Sequence, residues 1–350
     1  MNKMAKFQNK IIFILIYFKK AIDYSEYILK NQDFWGLVNG LKVISSIFYP
    51  TIGLFSSPLD VQVEISTKCN LSCTTCTHKS LKEKKDMTFS EFKQIIDQFP
   101  NAIHVILQGI GEPLMNREIY RMISYAKSKK IKPMIITHGG LLTKENLDQL
   151  IKSGLHGLTI SIDGYGKNYE IIRPGANFNL LINNLKNLLI KRVPYTQINV
   201  VCTKKNVLDI PKLIDLAHDI GIKNIFLADL YPINEMVKKI ALTKNDFPLI
   251  NRYKQYAKKR KIDLESGLIR FLKKEKIRSC IRPWLTTYIK INGDVTPCNL
   301  EGMIQDKQKI NFGNIFKKNI KEIINNEKAK TFRKELIKEK PNYCENCPLY

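Results

Sequence analysis

Acidic residues are scarce in this chain: 32 Asp and Glu face 57 Lys and Arg among 350 residues, a formal charge of +25. Such an excess suits an anionic membrane surface, a nucleic acid or a phosphorylated substrate. The basic residues are scattered, as in KKEKIR and YAKKRK, and no nucleic-acid module accompanies them. A solvated basic surface is therefore the simpler reading, and no nucleic-acid partner is expected. Long apolar runs are missing too. IIFILIYF (residues 11–18) has only eight residues, against about 20 for a bilayer span. Lys flanks it and no small-residue cleavage site follows, so a secretory signal is not expected. Eight cysteines are too few for a disulfide-built secreted scaffold. Solenoid repeats and low-complexity linkers are absent as well.

What is present has an ordinary soluble apolar fraction and the length for one large α/β domain plus a smaller unit. Residues 1–58 read as an N-terminal helical, hydrophobic extension, with Phe34, Leu37, Val38, Leu41, Ile44 and Phe48 at helical spacing. The extension is either a cover packed on the main domain or, with Trp35 and the flanking lysines, a peripheral membrane contact. From Leu59 onward, β-rich runs alternate with amphipathic helical patterns. The runs are VQVEIS (61–66), HVILQ (104–108), PMIIT (133–137), LTISID (158–163), QINVVC (197–202) and NIFLA (224–228). Six strand–helix units in a row predict a parallel sheet, and six fall short of the eight that close a barrel. The expected fold is α/β: a partial (β/α)6 TIM-like barrel over 59–235. Chemistry is expected at the C-terminal ends of its strands. A Lys-rich helical connection without strand signal follows over 236–278. A small α+β unit over 279–350 then contains a hairpin turning at Asn292-Gly293 and a basic helix.

The cysteines are clustered. Cys69, Cys73 and Cys76 lie in CNLSCTTC directly after the first strand, Cys280, Cys298, Cys344 and Cys347 near the C-terminus, and Cys202 alone. Clustering of this kind reads as metal binding in a reducing cytoplasm. A structural zinc or a self-contained iron–sulfur cluster takes four protein ligands. Three on one loop leave either a fourth ligand elsewhere or a site meant to stay open. Cys202, ending the fifth strand, reads as a buried core thiol.

CNLSCTTC has the C-x3-C-x2-C spacing of radical S-adenosylmethionine (radical SAM) enzymes, on the loop where that family carries it. The resemblance spans residues 59–350 and implies a [4Fe–4S] cluster held by Cys69, Cys73 and Cys76. S-adenosyl-L-methionine would chelate the open iron, and its reductive cleavage would give a 5′-deoxyadenosyl radical that abstracts hydrogen from substrate. Further segments match in order. LQGIGEPLMN resembles the family's G-x-E-P motif, in which backbone groups near Gly111 and Glu112 receive the methionine amino group. SIDG places Ser161 to hydrogen-bond the cofactor, with Asp163 near the turn. In YEIIRPGANF, Arg173 would pair with a carboxylate. Two positions depart from the pattern: Thr75 stands where an aromatic residue is common, and His138-Gly139 where Asn-Gly is. His138, a loop histidine, is a candidate substrate or cofactor contact.

Cys280, Gly293 and Cys298 fit C-x12-G-x4-C, with Cys344-x2-Cys347 closing the set. This resembles the twitch form of the SPASM-type extension, with four cysteines for one auxiliary [4Fe–4S] cluster. A four-cysteine zinc site is the alternative. The spacing is close to that of radical SAM dehydrogenases of sugar-like alcohols. The resemblance implies a two-electron oxidation, an epimerisation or a bond-forming maturation. The substrate would be carbohydrate-like, lipid-linked or a peptide, and the reductant a flavodoxin or ferredoxin. No peptide-binding winged-helix pattern precedes the barrel. Gln108, Asn199, Asp229 and Tyr231 are further strand-end polar candidates for the pocket. A non-catalytic metal-binding scaffold is the reading from a different class.

Overall fold

The computed structural model describes residues 22, 24–25, 29, 34–54, 56–81, 83–190, 193–230, 235–267, 280–299, 310–339, 341–344 and 347. The apolar run 11–18 and Tyr231 lie outside them. Each β-rich run of the sequence forms a strand: β1 (Asp60–Glu64), β2 (His104–Gln108), β3 (Lys132–Thr137), β4 (Gly157–Ser161), β5 (Tyr195–Cys202) and β6 (Asn224–Asp229). They pair in parallel and in chain order, with Val63 beside Leu107 and Ser161 beside Asn199.

The period of two along these strands separates two faces. Val105, Leu107, Ile198, Val200 and Cys202 are fully buried. They face a layer of helices that includes α2 (Phe89–Ile96), α3 (Ile119–Ser128), α4 (Lys144–Ser153), α6 (Phe178–Ile190) and α7 (Ile210–Asp219). Ile106, Gln108, Gln197, Asn199 and Phe226 lie on the other face and stay half-buried. That inner face is a bowl. Local signals start and stop the helices: Thr88 and Glu91 form a reciprocal capping box on α2, and α4 ends on Gly154 in the left-handed region at φ +93°.

Four more strands extend the sheet. β7 (Asp263–Ser266) pairs in parallel with β6, inside the segment expected to lack a strand. The sequence DLES gave no β signal because at the sheet edge only Leu264 is buried. The expected hairpin is β8 (Thr286–Ile289) and β9 (Asp294–Thr296), turning through Gly293 at φ +85°. β8 also pairs in parallel with β1, and β10 (Gly313–Asn314) adds to β9. The order is β10-β9-β8-β1-β2-β3-β4-β5-β6-β7, one open mixed sheet shared by the barrel and the C-terminal unit. The predicted basic helix is two, α8 (Ile320–Ile323) and α9 (Glu327–Lys338), because Asn326 caps the second.

Helix α1 (Phe34–Phe48) covers the N-terminal ends of the strands, where Val43 packs with Tyr24, Leu59, Ile103, Ile281 and Leu285. The apolar stripe read from the sequence divides there: Leu37 and Ile44 turn to this cluster, while Phe34 and Leu41 turn to solvent. At the opposite, C-terminal end of β1, the buried Glu64 carboxylate accepts hydrogen bonds from Ile110 N–H (3.2 Å), Ile291 N–H (3.0 Å) and the Tyr288 hydroxyl (3.4 Å). One side chain thus ties the loop after β2 to the turn of the β8–β9 hairpin.

Glu64→Leu leaves the buried Ile291 N–H and the half-buried Ile110 N–H without this acceptor and is expected to cost about 3 kcal/mol, read from the urea midpoint at unchanged m-value. A second expectation concerns pH. Burial, with help from the charges of Lys132 and His104, lowers the His156 pKa to about 4. Unfolded His156 titrates near its ordinary 6.5. Between those values the unfolded chain binds a proton that the folded chain does not, so stability is lost as pH falls through that window. His156→Gln should flatten this limb in urea midpoints measured between pH 7 and 5.

Candidate active site

The loop carrying Cys69, Cys73 and Cys76 has little core of its own and is held by backbone pairing. On one side Ser72 N–H donates to Pro174 O (2.9 Å) and Thr74 N–H to Ile172 O (3.0 Å). The IRPG segment after α5 (Lys167–Ile172) therefore acts as its edge, and Gly175, at φ +94°, lets that edge approach Asn70. On the other side Met87 N–H donates to Ile65 O (2.9 Å), and the buried Asn116 amide donates to Ile65 O and Met87 O (2.7 and 2.9 Å). Two of the sulfurs already accept backbone N–H groups: Cys69 from Leu71 (3.5 Å) and Cys76 from His78 (3.4 Å). Burial raises the pKa of all three thiols, that of Cys73 to about 11, while the Arg173 charge opposes it. Iron binding would expel those protons.

The GEP turn docks onto this loop at very close range. A Cβ on Gly111 would stand 2.5 Å from Ser66 O and from Lys68 O, both backbone atoms, so only glycine fits. Glu112 N–H donates to Lys68 O (2.7 Å). The Glu112 carboxylate is 3% exposed and turned inward. It accepts from the Thr137 hydroxyl (2.7 Å), His138 N–H (3.0 Å) and Leu114 N–H (3.1 Å). The Glu112 carbonyl accepts Met115 N–H (3.1 Å). His138 is a structural link: Nε2–H donates to Asn70 Oδ1 (2.9 Å) and Nδ1 accepts from Gly140 N–H (2.9 Å), a network that assigns its tautomer. Burial lowers its pKa, with the Glu112 charge opposing the shift.

Arg173 has a carboxylate partner within the chain. Its Nε and Nη2 donate to Asp163 Oδ2 (3.0 and 2.6 Å), and Asp163 Oδ1 accepts Val201 N–H (2.8 Å). Burial works against the Arg173 charge, but Asp163 outweighs it and raises the pKa above its ordinary value. The guanidinium is close enough to act electrostatically on all three cysteines. Asn206 backs the pair, donating to Asp163 O (3.0 Å) and Val201 O (2.8 Å). Nothing in the sequence signalled Asn206, Asn116 or Thr137, which are plain polar residues until the chain folds. Ser161 ends β4 and stands beside Asn199, which lies inside β5, three residues before the strand end expected for it; Gln108 ends β2, and all three are half-buried on the bowl, while Asp229 ends β6 beside Cys202. Cys202 belongs to the helix-facing core.

The second set gathers at the base of the β8–β9 hairpin, the end away from its turn. Cys280, Cys344 and Cys347 are buried and Cys298 is half-buried. Burial pushes the Cys280 thiol up to about 12, Arg282 opposing and Cys347 and Cys298 reinforcing the shift, so three of the four sulfurs share one neighbourhood. Cys347 N–H donates to Cys344 O (2.9 Å), which brings in the fourth. All eight cysteines lie among the described residues and none is in a disulfide. Among those residues no three His, Cys, Asp or Glu converge tightly enough for a single metal ion. The donor sets fit clusters: three thiols, two of them with N–H···S support, beside a cation on an open loop, and three buried thiols with a half-buried one elsewhere.

Two variants follow from this geometry. Cys73→Ala should lower the iron bound after anaerobic reconstitution from about eight to about four per chain, measured by metal analysis. Asp163→Ala leaves Arg173 buried without its partner and should cost about 3–5 kcal/mol, read from chemical denaturation.

Both cysteine groups fall within ranges that match known families. A model of the radical SAM superfamily matches residues 63–217, and one of an iron–sulfur cluster-binding domain, SPASM, matches 280–348. An AdoMet-dependent heme synthase of Methanosarcina barkeri is 29% identical over 177 residues, 49% of this chain and 50% of the relative, so the match spans about half the synthase's length. The tungsten-containing aldehyde ferredoxin oxidoreductase cofactor-modifying protein of Pyrococcus furiosus is 25% identical over 300 residues, 77% of this chain and 82% of that protein. Among solved structures, Streptococcus suis SuiB bound to S-adenosylmethionine superposes with a TM-score of 0.68 at 20% identity, covering 91% of this chain and 78% of SuiB. SuiB bound to precursor peptide SuiA gives 0.67 at 20% identity over 89% and 74%. The chain is a member of the radical SAM superfamily with a C-terminal SPASM-type domain, and its cofactors are S-adenosylmethionine and [4Fe–4S] clusters.

Proposed function

We propose that this chain abstracts a hydrogen atom from a peptide substrate and carries the product through a two-electron oxidation, with flavodoxin or ferredoxin as reductant. The observation that carries this reading is that one continuous sheet bears both thiol sets, and that Glu64 joins the loop after β2 to the hairpin whose base holds the second set. S-adenosylmethionine, bound beside Cys69, Cys73 and Cys76, supplies the hydrogen-abstracting radical chemistry of the superfamily. The chain's own contribution is positioning. The Glu112 carboxylate and N–H are engaged within the chain, and we assign the methionine amino group to the backbone carbonyls at Gly111 and Glu112. Asp163 fixes two of the Arg173 donors, which orients the rest of the fork toward the cofactor carboxylate. The Ser161 hydroxyl, at the rim of the bowl, reaches the cofactor from β4.

Gln108, Asn199 and Phe226 line the half-buried inner face and are the contacts we assign to substrate. The sheet does not close between β7 and β10. A lateral opening of this kind suits an extended chain, and peptide-bound SuiB shares the fold. The hairpin base lies about 13 Å along β8 from its turn, at 3.3 Å per residue. Four thiols would fill the corners of the cluster there, so it would take up an electron rather than touch substrate. A sugar-like alcohol is the second reading, favoured by the four-cysteine spacing. The thiols suit a reducing cytoplasm.

The test is anaerobic turnover with S-adenosylmethionine, dithionite or reduced flavodoxin, and panels of peptides and polyols. Deoxyadenosine should form and be abolished by Cys73→Ala. Cys347→Ala should keep deoxyadenosine formation but lower oxidised product at least about tenfold. Arg173→Gln should raise the KM for S-adenosylmethionine about tenfold, an effect of the size expected for a charged hydrogen bond. Zinc in both sites with no deoxyadenosine would overturn the reading, and polyol turnover without peptide turnover would shift the substrate class.

A further inference from the structure

Helix α1 carries apolar side chains on two sides. Its inner side is Gly36, Asn39, Gly40, Val43 and Ser46 with Leu37 and Ile44 packed beside them, whereas Phe34, Trp35 and Leu41 are 68%, 71% and 58% exposed. The orientation is fixed from within: the buried Asn39 amide donates to Ser57 O (3.1 Å) and accepts Ser57 N–H (2.7 Å). At about 100° per residue, Phe34, Trp35, Val38, Leu41 and Lys42 fall within one arc of about 120°. The Phe34 and Trp35 rings meet edge to face at 5.5 Å, and Tyr49, 80% exposed, continues the patch past the helix. Beside it lies a cleft of about 410 Å³ whose walls include Trp35, Val38, Lys42, Lys321 and Ile324. Two lysines and no carboxylate line that cleft.

We propose that this face of α1, with the Lys42–Lys321 cleft, seats the enzyme on an anionic bilayer. Aromatic and aliphatic side chains above a basic rim are what the boundary between headgroups and acyl chains accepts. A second copy of the chain is disfavoured as the occupant because each copy carries +25, which repels a like partner and draws an anionic surface. No helix among the described residues is long and apolar enough to cross a membrane, so the contact is peripheral. Because α1 packs beneath Leu59 and Ile103, at the N-terminal ends of β1 and β2, the mouth at the other end of the strands faces the aqueous side. This inference does not depend on which substrate is oxidised.

The experiment is co-sedimentation of the reconstituted full-length protein with phosphatidylglycerol–phosphatidylcholine vesicles and with phosphatidylcholine alone, at low and high salt. Binding to the anionic vesicles should weaken at least about tenfold in F34S/W35S and about tenfold in K42E/K321E at low salt, the latter difference shrinking at high salt. Of the two tryptophans, Trp284 is buried at 1% exposure, so a blue shift of emission on binding reports Trp35. Unchanged deoxyadenosine formation in both variants shows that they are folded. Absent binding to anionic vesicles, binding indifferent to F34S/W35S, or a dimer in sedimentation velocity that F34S/W35S dissolves would each overturn the proposal, the last by assigning the face to a second copy.

Discussion

The active site depends on one close approach of backbone to backbone. Gly111 lies where a Cβ would stand 2.5 Å from two carbonyls of the cysteine loop, and the next residue donates its N–H to one of them. Any larger side chain would push the loop after β2 away from the loop after β1. Around this contact the remaining loops are fixed by buried acceptors. Glu112 holds the end of β3, Glu64 the turn of the C-terminal hairpin, and Asp163 holds Arg173 against the end of β5. Loops are ordinarily the mobile part of an α/β fold. Here carboxylates with several donors each make a rigid rim from them, and rigidity is what a site that must hold a reactive species in place requires.

Much of this organisation was legible in the sequence, for identifiable reasons. The six barrel strands were found because each is buried on its helix side and so carries a run of β-branched residues. The cysteines were found because ligand spacing is local. β7 was missed because an edge strand with one buried side chain has no pattern to read. The joining of β8 to β1 was missed because pairing across more than two hundred residues leaves no local trace. The partner of Arg173 was within ten residues, yet an aspartate in a turn looks the same whether it caps a loop or holds a guanidinium. A loop histidine such as His138 carries no sign of its partners in the sequence, and only the fold shows both ring nitrogens engaged. The stripe on α1 was read as one face because periodicity gives spacing but not which way a helix is turned; Asn39 decides that.

The C-terminal unit shares its sheet with the barrel instead of standing apart, and this bears on how the two thiol sets work together. A strand paired to β1 cannot drift relative to the loop that β1 feeds. The distance between the sets is therefore a property of the sheet. The N-terminal helix closes the opposite end and leaves the mouth free.

The central claim is that one of two clusters has an iron without a protein ligand and that S-adenosylmethionine fills it. The most direct test is electron paramagnetic resonance of the dithionite-reduced protein before and after S-adenosylmethionine is added. One of two [4Fe–4S] signals should change on addition while the other stays as it was, and Cys73→Ala should remove only the responsive one. Two signals that both ignore S-adenosylmethionine would contradict the account.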